Sequence, residues 1–192
     1  MSHIKTPWAA TLFLALLPIA CSSKTSPTES NFRDAINYAL SKQPLCVGTY
    51  GVHSFPITGD QDRLLDRLAE KGLVSISHPY PWQTRYDITP AGRATMMHSS
   101  HIVNLLMGPG DYYFCYGTGK VDKILNYEGP KTLLGDTVVD VSYAWKLSKP
   151  LPDWVRDPEV LKAAGNDAEG GTAHMMLVLT HNGWRDTQDM DH

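Results

Sequence analysis

Asp136 to Leu147 reads DTVVDVSYAWKL, an alternation that leaves this chain little freedom in how it folds. Val139, Val141, Tyr143, Trp145 and Leu147 fall on one face, and Asp140, Ser142 and Lys146 on the other. A period of two with one apolar and one polar face marks a half-buried antiparallel strand. Such a strand needs neighbours. AHMMLVLTHNGWRD, from Ala173, supplies one and ends in an Asn-Gly turn signal. DYYFCYGTGKVDKILNYEG, from Asp111, predicts two more strands joined at Gly117 to Gly119. The long connection between Ser148 and Gly171 has room for one short helix, capped by Asp157 with Pro158 in its first turn.

The first half has helical periodicity instead. Phe32, Ala35, Ile36, Ala39 and Leu40 predict an amphipathic helix from Asn31 to Lys42. Thr58 and Gln61 form a capping-box pattern ahead of a second stripe, Leu64, Leu65, Leu68 and Leu73, with Gly72 as its stop. LVSIS (73–77) and TRYDI (84–88) flank a Pro-rich turn and predict a hairpin. Thr89 and Pro90 then give a cap and a first-turn proline for another helix.

This order of helix, hairpin and helix resembles the winged-helix domain of multiple-antibiotic-resistance-type regulators. The resemblance rests on Leu65, Leu68, Gly72, Leu73 and Val74, then Ile88, Thr89, Gly92 and Arg93. It departs from that family where a positioning helix belongs, because QPLCVGTYGVHSFPI (43–57) holds prolines, glycines and strand-like residues. Asp62, Asp66 and Glu70 also offset Arg63, Arg67 and Lys71 on the helix that would read DNA. Net charge is -3, without the basic surplus that phosphate binding requires. No nucleic-acid partner is expected. A DNA-binding regulator stays as the alternative for a chain that is not exported.

The N-terminus points outward from the cell. Trp8 to Ala20 is an uncharged apolar run, too short to span a bilayer but suited to a signal peptide. It ends LLPIAC, which resembles the lipobox of bacterial lipoproteins, with Pro18 where leucine is usual. The resemblance implies cleavage before Cys21, acylation of that cysteine and a membrane anchor. Ser22 resembles the outer-membrane sorting choice; ordinary cleavage to a soluble periplasmic protein is the alternative. SSKTSPTES (22–30), with no large apolar residue, is expected to be a flexible tether.

With Cys21 set aside, Cys46 and Cys115 remain. An even pair in an oxidising compartment is expected to form a disulfide, the alternative being two separate buried thiols. Neither has a second cysteine or histidine at zinc-ligand spacing beside it. A further resemblance covers most of the mature chain, to a family of small exported envelope proteins of Gram-negative bacteria. It rests on PLCVG (44–48), YDITPAGR (86–93), FCYG (114–117) and LTHNGW (179–184). Both cysteines lie within these stretches, so the resemblance supports the disulfide, but it implies no activity.

The motifs of serine hydrolases, phosphate loops, dinucleotide sites and zinc proteases do not occur. His98 and His101 are three apart and would share a helical face, the start of a metal-dependent enzyme site, but their segment holds no carboxylate to complete it. No cofactor is expected. Trp82, in the hairpin turn, and Trp154, in the loop LPDWVRDP, are the candidates for anchoring a partner.

The expected fold class is α+β, a winged-helix-like N-terminal half followed by an antiparallel β-sheet with one short helix. The expected divisions are a signal peptide (1–20), a lipidated Cys21 with its tether (21–30), the winged-helix-like region (31–107) and the sheet region (108–192). With 42% hydrophobic residues the chain can bury a true core. The function that fits is an exported, lipid-anchored envelope protein with a non-enzymatic binding role towards a periplasmic protein or envelope component.

Overall fold

The computed structural model describes residues 23–49, 57–59, 63–98, 112–165 and 167–191. A mixed helix-and-strand architecture results, dominated by antiparallel sheet. The strands β1 (Pro44–Thr49), β6 (Tyr112–Leu133), β7 (Asp136–Leu147), β8 (Gly170–Thr180) and β9 (Gly183–Asp186) lie in the order β1-β6-β7-β8-β9. The short β5 (Met96–His98) also pairs with β6. A separate three-stranded sheet has the order β2-β4-β3, from β2 (Ile57–Gly59), β3 (Val74–Tyr80) and β4 (Gln83–Ile88).

The alternation in β7 does what its period requires. Val139, Val141 and Tyr143 are buried under α1 (Glu29–Lys42), together with Phe32, Ala35 and Ile36 of that helix and Leu177 and Trp184 of the neighbouring strands. The chain does not turn at Gly117 to Gly119. Tyr112–Leu133 form one continuous strand of 22 residues, β6. Its glycines serve close approach: a Cβ on Gly119 would stand 3.1 Å from the Trp145 ring and 3.5 Å from Leu40. The strand changes partners along its length, β1 pairing with its first part and β7 with the rest.

Where β6 slips register against β7, between Val121 and Lys123, backbone groups fall out of the ladder. Helix α1 meets them. Asn37 accepts the Val121 N–H at 2.8 Å, and Arg33 donates to the Val121 and Asp122 carbonyls. Polar bonds as well as apolar burial therefore set α1 on the sheet.

A second core lies around α2 (Arg63–Glu70). Leu65 and Leu68 pack with Val74 and Tyr86 of the hairpin, Val47 of β1, and Phe114 and Tyr116 of β6. Leu151, Val155 and Val160 close it, the last from α4 (Pro158–Ala164), whose cap is Asp157 with Pro158 in the first turn. The two cores do not divide the chain at residue 107. The first helix belongs to the sheet's core, and the connection after β7 belongs to the core of α2.

Two local expectations are corrected. Thr58 lies in the strand β2, opposite Arg85, rather than at a helix start, and Gln61 lies outside the described residues. Residues 23–30 are not a free tether. Thr28 caps α1, Asn31 donates to the Ser23 and Ser26 carbonyls, and the Trp184 indole N–H donates to the Ser26 carbonyl at 3.1 Å. Small polar residues here place backbone carbonyls on the body instead of side chains in its core.

The helix-hairpin-helix arithmetic holds more closely. The α3 helix (Pro90–Thr95) is capped by Thr89, whose hydroxyl accepts the Gly92 N–H at 3.0 Å and also lies 3.0 Å from the Leu73 carbonyl. Gly92 presses on that same carbonyl: a Cβ there would sit 2.0 Å from it. The sequence pieces G-L-V and T-x-x-G thus meet at one atom.

Candidate functional site

Cys46 of β1 stands opposite Cys115 of β6, and the two are joined by a disulfide with Cα atoms 3.9 Å apart. The bond lies beside the slip in register between Leu45 and Cys46, where pairing alone specifies the alignment least. It closes a separation of 69 residues and ties the first half of the chain to the long strand.

Helix α2 presents paired charge. Arg67 meets Glu70 at 2.8 Å, and Lys71 lies 3.8 Å from Asp157 beside α4. Asp66 accepts the Tyr86 hydroxyl at 2.8 Å. The hydrogen bonds that Arg67 donates to the Glu70 carboxylate hold the guanidinium pKa above its ordinary value. Arg85, on the hairpin, is held by Asp87 at 2.9 Å. Three of the cations that could have met phosphate are thus engaged by carboxylates of this chain.

The hairpin tip carries an aromatic pair. Tyr80 and Trp82 stack with ring centroids 5.5 Å apart and planes 10° from parallel. Trp82 is 82% exposed and Tyr80 56%. The turn forces this, because β3 and β4 slip register between Ser77 and Tyr80 and the tip stands clear of both cores. Trp154 is placed differently. It is partly buried against the α2 core, edge-on to Tyr116 at 6.4 Å, and is not the exposed loop aromatic its neighbours predict. Proline-rich flanks gave its loop; the apolar Leu151 and Val155 on either side draw the ring inward.

His98 is the last residue of β5, opposite Tyr112, so it does not lie on a helix. His101 and Cys21 lie outside the described residues. Among the described residues, no three His, Cys, Asp or Glu side chains converge as a metal site.

The open face of the sheet holds a cluster that the spacing in sequence conceals. Ser142 and His174 are directly opposed on β7 and β8, with Oγ 2.9 Å from Nδ1. Asp140 Oδ1 lies 4.0 Å from the same nitrogen. A serine-histidine-aspartate relay needs the hydroxyl and the carboxylate on different ring nitrogens, in a site shielded from water. Here both approach Nδ1 and the imidazole is largely exposed. The arrangement is a surface cross-strand pair, legible from the polar face of β7 once its partner strand is known.

A shallow cleft of about 270 Å³ lies at the start of α1, lined by Lys24, Asn31, Asp34, Tyr38, Trp184 and Arg185. The Tyr38 ring takes Lys42 at 4.1 Å and Arg185 at 4.6 Å. No protein-family profile, curated protein or solved structure matches the chain.

Proposed function

We propose that this chain is an exported envelope lipoprotein, anchored through Cys21, whose folded body binds a periplasmic protein or envelope component without catalysing a reaction. The lipobox-like LLPIAC and the Cys46–Cys115 disulfide support the address, because disulfides persist in oxidising compartments. The observation that carries the binding role is the stacked Tyr80–Trp82 pair at the hairpin tip. Large aromatics, exposed together, bury much area on association at little entropic cost.

The β2-β4-β3 sheet with α2 and α3 is a winged-helix-like scaffold put to this use. Its strand β2 takes the edge beside β4. A DNA-reading role is disfavoured by the net charge of -3 and by the carboxylates on Arg67, Lys71 and Arg85.

The test is photo-crosslinking in living cells from an unnatural residue at position 82. A discrete adduct, lost when Tyr80 is replaced by alanine, is the expected result. No adduct from position 82, with the protein folded and in the envelope, would contradict the binding role.

A further inference from the structure

The β6–β7 ribbon ends in a tip that the packing of the protein does not explain. Leu133 pairs with Asp136, so Leu134 and Gly135 alone make the turn. Leu134 is 98% exposed and has φ +52°, and Gly135 has φ +97°. A two-residue turn with both φ values positive prefers Asn-Gly, and a leucine there is strained. Leu133, beside it, is 45% exposed. A strained, fully exposed leucine next to another is unfavourable twice over for a protein in water. An outlier of this kind points to function.

The position of the tip identifies what it meets. Val138, opposite Lys131 on β6, forms the last β7–β8 pair with Val178, and residues 132–137 extend beyond it, with 132–136 exposed. The turn from β8 to β9 lies at this same end of the sheet, since Thr180 pairs with Gly183. Against Gly183 rests the backbone of Lys24, with its oxygen 3.0 Å from where a Cβ would stand. Counted along the strands, the leucine tip and this turn lie within about 7 Å of one height. Cys21 precedes Ser23 by two residues, a reach of about 7 Å. The leucine tip and Lys24, three residues after Cys21 in sequence, therefore lie at the same end of the sheet.

We infer that Leu133 and Leu134 insert into the acyl layer of the leaflet that holds the Cys21 lipid, giving the body a second membrane contact and a fixed orientation. The inference rests on the lipid-anchored reading for its geometry. The exposed Lys131 stands two residues behind the tip, an ammonium suited to the headgroup region. Asp136, opposite Leu133, flanks it as well and limits insertion to the two leucines. Two side chains suffice because the anchor makes the second contact intramolecular.

The test uses the full acylated chain carrying Leu134→Trp, reconstituted in phosphatidylethanolamine–phosphatidylglycerol vesicles with brominated acyl chains. The fluorescence that residue 134 adds over the unsubstituted protein should fall at least twofold relative to unbrominated vesicles. Equal fluorescence in both, with Cys21 acylated, overturns the tip contact and leaves the anchor standing. It would also be the result if the tip faced a protein. Should the chain prove unacylated, the same vesicles are mixed with the unmodified Leu134→Trp protein. Quenching there sustains the tip contact although the anchor reading has failed, and its absence ends both.

A second variant guards against misfolding. Leu134→Asn suits the turn and removes the apolar tip, so its thermal midpoint should be at least that of the parent. Introduced into the acylated Leu133→Trp chain, it should at least halve the bromine quenching of residue 133. Unchanged quenching contradicts the inference.

Discussion

Asn37 accepts the backbone N–H of Val121 at 2.8 Å, reaching from the first helix to the first of three points where β6 slips register against β7. A bulge frees backbone groups from the ladder, and in a packed interface water cannot serve them. Helix and bulge are therefore matched features. Asn37→Ala leaves the Val121 N–H without its acceptor and should cost about 1–3 kcal/mol. Denaturant titration of the two proteins checks this. Asn37→Asp, which keeps an acceptor oxygen, should recover most of the loss.

The disulfide is the second restraint on β6. Replacing Cys46 and Cys115 together by serine releases a separation of 69 residues. The chain-entropy account predicts a loss of about 4 kcal/mol. Thermal melts of the double variant, and of the wild type with and without reductant, should show the same drop in midpoint. Reduction that leaves the midpoint unchanged would show that β1 is held by its packing alone.

Gly92→Ala should be among the most damaging small changes in the molecule. The added methyl would lie 2.0 Å from the Leu73 carbonyl oxygen and 2.9 Å from its carbon, and neither atom can swing aside as a side chain can. Overpacking of this kind costs about 1–3 kcal/mol or more. The third helix should detach first, seen as faster amide exchange at Arg93, whose N–H bonds to the Thr89 carbonyl.

Alkali should weaken the fold through two buried phenols. Burial pushes both Tyr116 and Tyr143 above their ordinary value, Asp186 adding to the effect at Tyr143. A folded-state pKa above the unfolded one gives stability that is complete below the unfolded value, near pH ~10, and lost as pH climbs through the folded value. Denaturation midpoints should therefore fall above about pH 10. The fall should be shallower for the Tyr116→Phe/Tyr143→Phe protein than for the wild type.

Periodicity and punctuation carry most of the fold. The alternation of 136–147, the Thr89–Pro90 and Asp157–Pro158 caps and the hairpin of β3 and β4 are local matters, settled by neighbours in sequence. The failures come from contacts at long range. Gly117 and Gly119 look like a turn, but they let Leu147 and Trp145 come close. Residues 23–30 look like a tether because they hold no large apolar residue, yet their carbonyls bond to Asn31 and Trp184. The site is legible in the same proportion. Trp82 is exposed where a hairpin turn places it, whereas Trp154 is drawn inward by a core its own segment does not reveal. Leu134 carried no signal at all, since its meaning lies in a backbone angle.

The anchored, oxidised state is tested most directly by the intact mass of the native protein from a membrane fraction, with and without reductant. The expected result is a chain that begins at an acylated Cys21 and gains two hydrogens on reduction, from the Cys46–Cys115 bond. An unprocessed chain with free thiols, recovered from the cytosol, would contradict it and return the α2 helix and its hairpin to the role of a DNA reader.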